Sequence, residues 1–100
     1  MKKMKFENTD EFERVFKNTD KEITDAIYEG IEEAYKFHKK SAYLFEISFK
    51  DADLVFEITL PSTQFELALE SCMDHYRNIG ETDLSIDVYI LQKEIRKWLS

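Results

Sequence analysis

The sequence predicts an α+β fold: a β-hairpin at about residues 42–60, packed on one face by amphipathic helices at about 9–17, 20–39, 63–79 and 83–99. Three observations predict it. Residues 42–60 alternate apolar and polar side chains twice around a short polar break. The flanking segments repeat apolar residues at spacings of three and four. Most of those segments open on a side-chain acceptor suited to capping a helix. The 100 residues are expected to form a single acidic domain, 1–100.

The first helix starts at Asn8-Thr9-Asp10-Glu11, where an acceptor is followed three residues on by a glutamate, as in a capping box. It gathers Phe12, Val15 and Phe16. Asn18-Thr19-Asp20 repeats the signal, and Thr19 with Glu22 makes a second box. These are two helix starts; a structural repeat would need a longer period. The second helix carries Ile23, Ala26, Ile27, Gly30, Ile31, Ala34, Tyr35 and His38 along one face. A glycine inside a helix costs about 1 kcal/mol against alanine. Close approach of Gly30 to the hairpin would offset that.

In the hairpin, Tyr43, Phe45, Ile47 and Phe49 point one way, and Leu44, Glu46 and Ser48 the other. After Lys50-Asp51-Ala52-Asp53, the residues Leu54, Phe56, Ile58 and Leu60 alternate with Val55, Glu57 and Thr59. Period two in aromatic and β-branched residues is a strand signal. A lone hairpin is marginal in water, so helices are predicted on the Tyr43/Phe45/Ile47/Phe49 face. A tight turn at Asp51-Ala52 pairs Phe49 with Leu54 and Ile47 with Phe56, and sets Glu46 across from Glu57. Like charges so placed are destabilising by a few tenths of a kcal/mol. Water on an open face screens them, and charge guards a strand edge. Alternatively the acids meet a cation on a partner.

Pro61 ends the second strand, and Thr63 with Glu66 reads as the capping box of a third helix. Its stripe is Phe65, Ala68, Leu69, Cys72, Met73, Tyr76 and Ile79, with Gly80 just past the end. The last segment carries two patterns. Leu84, Val88, Leu91, Ile95 and Trp98 fit a helix, while Leu84 to Ile90 also alternates as a strand would. The helical pattern is longer and decides for helix. A third strand followed by a short helix is the other reading.

Charge and missing parts narrow the function. The net charge is −7, and Glu7 to Glu33 holds ten acids against three bases. Direct nucleic-acid binding normally needs a basic face, so it is disfavoured. The bases gather at Lys2-Lys3-Lys5, Lys36-Lys39-Lys40 and Lys93-Arg96-Lys97; the last two groups fall at predicted helix C-termini, where cations suit the macrodipole. No apolar run reaches a membrane span, and no apolar segment follows the basic start to make a secretion signal. One cysteine excludes an internal disulfide and fits a reducing, cytoplasmic setting. Two glycines supply neither a phosphate-cradling loop nor a dinucleotide fingerprint. Cys72 and His75 lie at i and i+3, and His38 is the only other nitrogen or sulfur ligand candidate. A zinc site needs about four ligands. The expectation is therefore no catalytic residue, no metal and no cofactor, with a Cys72/His75 enzyme or metal protein as the alternative.

What remains is an interaction surface. Apolar residues outside the stripes include Tyr28, Phe37, Leu44, Val55, Ile86, Tyr89 and Ile90. Leu44, Glu46, Val55 and Glu57 on the open sheet face, with Ile86, Tyr89 and Ile90 on the last helix, form the candidate surface. The expected function is non-enzymatic binding or inhibition of another protein, with self-association as a homodimer in the same class. A sharper variant makes the Glu7–Glu33 acids a mimic of DNA phosphates. The small, acidic, glycine-poor character is common among accessory proteins of phages and mobile elements.

Overall fold

The structure is a computed structural model that describes residues 2–17 and 21–100. The elements run β1 (Lys2–Phe6), α1 (Thr9–Lys17), α2 (Lys21–Lys36), β2 (Ser41–Phe49), β3 (Ala52–Pro61), a 3-10 turn (Ser62–Gln64), α3 (Phe65–Asn78) and α4 (Thr82–Leu99). The predicted α+β class holds, and the ambiguous last segment is helix. The sheet does have a third strand, but it comes from the other end of the chain. β1 pairs parallel with β2, giving the order β1-β2-β3. A parallel neighbour needs a long crossover, and here α1 and α2 provide it.

Local chemistry starts and stops the helices. Asn8 Oδ1 accepts the Glu11 N–H at 3.0 Å, and the Glu11 carboxylate accepts the Glu7 N–H at 2.7 Å. The predicted first cap therefore forms. The second box, at Thr19, lies outside the described residues. The third does not form: Gln64 precedes α3 without a side-chain capping bond. The 3-10 turn leads the chain in, and the Glu66 carboxylate accepts from Arg96 of α4 instead. At the end of α3, Gly80 adopts a φ of 80°. The Gly80 N–H donates to Arg77 O and the Glu81 N–H to Tyr76 O, which is a Schellman closure. α2 ends the same way with His38 in the glycine position, at a φ of 53°. There the His38 N–H donates to Tyr35 O and the Lys39 N–H to Ala34 O.

The helices cover the sheet less completely than predicted. α2 packs on β2, α3 on α2, and α4 on α3. α2 comes close to β2 at Gly30, as the stripe implied. A Cβ there would stand 2.8 Å from the Tyr43 carbonyl oxygen and 2.9 Å from Leu44 Cδ2.

The face assignment needs one correction. Tyr43 pairs with Thr59 and Phe45 with Ile58, so Leu44 is an extra residue on β2. This bulge shifts the phase of the strand by one residue. Before it, Ala42 and Leu44 face the helices and Tyr43 is exposed; after it, Phe45 and Ile47 are buried. A second irregularity brings Phe49 opposite Ala52 rather than Leu54. Ile47↔Phe56 and Glu46↔Glu57 pair as predicted. The core joins Phe45 and Ile47 to Ile31 of α2, Phe65, Leu69 and Tyr76 of α3, and Val88 and Ile95 of α4.

Candidate interaction surface

The candidate surface residues separate into two places and lose one member. Leu44 is buried beneath Gly30 and leaves the surface. The bulge that turns it inward has no signature in an alternating pattern. Glu46, Val55 and Glu57 lie on the sheet face away from α2. Ile86, Tyr89 and Ile90 are exposed on the outer side of α4. The two groups sit on different elements and do not merge.

On the sheet, β1 changes the electrostatics. Its register sets Lys3 beside Glu46 and Lys5 beside Ser48. The row across the open face is therefore Lys3, Glu46, Glu57. The next row is Lys5, Ser48, Val55. The register thus sets a basic residue on the strand beside Glu46, while Glu57 has no lysine or arginine on its own strand.

β3 is an edge strand: the alternation puts Leu54 and Phe56 on one face and Val55 on the open one, yet all three are exposed. Leu54 is 53% exposed, Val55 61% and Phe56 46%. Phe56 pairs with buried Ile47 and so belongs to the helix-covered face, but the helix layer stops short of it. Its ring meets Phe49 edge-on at 6.1 Å. Phe49 meets Phe12 of α1 at 5.9 Å, and Phe12 meets Phe6 of β1 at 5.5 Å. Phe56 is the open end of this aromatic row.

On α4, Lys93 Nζ stands 4.9 Å from the centre of the Tyr89 ring. A shallow groove of about 240 Å³ runs beside Ile86 and Tyr89, floored by Met73 and Ser85. The inward side of α4 is well anchored. Ser85 Oγ donates to Met73 O at 3.2 Å, and Gln92 Nε2 to Glu66 O at 3.0 Å. The helix that presents the exposed trio is thus tied to α3 on its inner side.

The residues weighed for chemistry lie elsewhere. Cys72 is buried at the α2–α3 seam, and its thiol lies 3.8 Å from Thr24 O. Burial, then the nearby Asp25 charge, pushes that thiol up to about 12, so it stays protonated at neutral pH. Tyr76 donates to Asp25, and burial and that carboxylate raise its phenol well above the usual tyrosine range. The His75 Nε2 is buried with no hydrogen-bond partner. Among the described residues no group of three His, Cys, Asp or Glu side chains could hold a metal ion. Several acids of the Glu7–Glu33 stretch have structural work: Glu7 pairs with Lys50, Glu11 caps α1, Asp25 holds Tyr76, and Glu32 accepts from Tyr28. The C-terminal ends of α2 and α4 meet at Trp98. Lys40 stands 4.9 Å over the Trp98 ring, and Trp98 meets Tyr35 and His38 at 5.7 Å each.

No helix among the described residues is long and apolar enough to cross a membrane. No protein-family model, curated protein or solved structure matches the chain.

Proposed function

We propose that this chain is a non-enzymatic protein-binding domain, regulatory or inhibitory in role, whose contacts run through its exposed apolar residues. One observation carries the proposal. Six of the large exposed apolar side chains fall in two short runs, Leu54-Val55-Phe56 and Ile86/Tyr89/Ile90. Scattered apolar residues on a surface are ordinary, but grouped ones on a well-anchored helix and an open strand are the pattern of contact sites. Aromatic and aliphatic anchors beside a groove, with a cation stacked on Tyr89, also match the make-up of interface centres.

For a foreign partner the α4 trio is the better site, because Ser85 and Gln92 lock the helix beneath it. Immobilised wild-type chain is expected to retain a stoichiometric partner from its native lysate. Ile86→Lys with Ile90→Lys should abolish that retention while leaving the melting temperature within a few degrees. Retention that survives the double substitution, or no stoichiometric partner at all, overturns the α4 assignment.

A further inference from the structure

We propose that two copies of this chain pair along β3, antiparallel about a two-fold axis at Phe56, to build one continuous six-stranded sheet. The proposal goes beyond the α4 contact and uses a different surface.

The two sheet edges are built differently. β1 is five residues long and carries Lys2, Lys3 and Lys5, a common guard against edge pairing. β3 is ten residues long, has no lysine or arginine, and its outer row of backbone groups faces no strand among the described residues. Its middle is apolar and exposed on both faces.

The register follows from charge and face. Keeping both helix layers on one side of the joined sheet requires helix-face residues to meet helix-face residues. Centring the axis on Phe56 sets Phe56 against its copy and Leu54 against Ile58. It sets Glu57 against Val55 and Asp53 against Thr59, whose hydroxyl can donate to the carboxylate. No like charges meet. Centring on Val55 would oppose Glu57 to Asp53, and centring on Glu57 would oppose that acid to itself. Centring on Ile58 would bring Pro61, which has no N–H, into the ladder and leave Leu54 outside it. The Phe56 register also continues the Phe6–Phe12–Phe49–Phe56 row across the axis and covers its exposed end.

Light scattering on the full chain from roughly 1 μM to 1 mM tests this. The wild type should show the mass of two chains. Phe56→Lys should return it to one, with its circular dichroism unchanged. Val55→Lys faces Glu57 twice in this register, so it should lower the dissociation constant roughly threefold to tenfold. Phe56→Cys should cross-link under mild oxidant, because directly paired residues lie within disulfide reach and Cys72 is buried. A single-chain mass at roughly 1 mM, an unchanged dimer in Phe56→Lys, a weaker dimer in Val55→Lys, or failure of Phe56→Cys to cross-link overturns it. A monomer that still loses its partner on α4 substitution defeats this proposal alone and leaves the α4 reading standing.

Discussion

At Gly30 the helix comes so near β2 that a methyl group has no room: the nearest obstacle is the Tyr43 backbone carbonyl, which cannot turn aside as a side chain would. Gly30→Ala gains about 1 kcal/mol of helix propensity but forces α2 off the sheet, and overpacking of this kind costs about 1–3 kcal/mol. The expected result is a lower urea midpoint for the alanine variant; a higher one would mean that α2 yields without cost. His38 is the opposite case. The sequence places it on the apolar face of the second helix, whereas its φ of 53° makes it the left-handed residue that closes α2. A side chain there costs about 1–2 kcal/mol, against roughly 0.5–1 kcal/mol of extra chain entropy for glycine and the loss of ring contact with Trp98. His38→Gly should therefore stabilise by a few tenths of a kcal/mol, visible in denaturant melts. Substantial destabilisation would show that the Trp98 contact outweighs the backbone.

Among the elements, four helices and the hairpin were legible because each carries long periodicity or a capping residue, and their bounds fall close to the predicted ones. β1 was not. Lys3-Met4-Lys5-Phe6 does alternate, with Phe6 buried and the two lysines out, but four residues of period two at a basic start carry little weight alone. The β2 bulge was equally hidden, since it depends on how α2 seats Leu44 and leaves the apolar pattern intact. Both omissions bear on the candidate surface. Without the strand Glu46 has no basic residue beside it, and without the bulge Leu44 falls outside and Tyr43 inside. With β1 in place the two acids are no longer equivalent. Glu57→Gln should relieve repulsion and raise stability by a few tenths of a kcal/mol. Glu46→Gln should not, because it surrenders Lys3 along with the repulsion. Equal effects from the two substitutions, measured by chemical denaturation, would refute the Lys3-Glu46-Glu57 row.

For the whole molecule, the α2–α3 seam ties stability to alkaline pH. Cys72 and Tyr76 are both buried there, and both are held above their ordinary values, Cys72 at about 12. In each case the folded chain keeps a proton that the unfolded chain gives up sooner. Below about pH 7.5 both states hold the thiol proton, and its contribution to stability is constant. Above that the unfolded state loses it first, so stability falls with rising pH until the folded thiol itself ionises. Lysine neutralisation and the growing excess over the −7 charge act in the same range, so the wild-type curve alone cannot isolate the seam. Comparison with Cys72→Ala can. That variant lacks the thiol, and losing a small buried side chain should cost it about 1 kcal/mol at pH 7. The margin by which the wild type exceeds it should stay level to about pH 7.5, then shrink, close at roughly pH 9–10 and reverse toward pH 11, read from urea midpoints across pH. A margin that is flat over the whole range would mean that the thiol ionises as readily folded as unfolded, and that the seam is open to water.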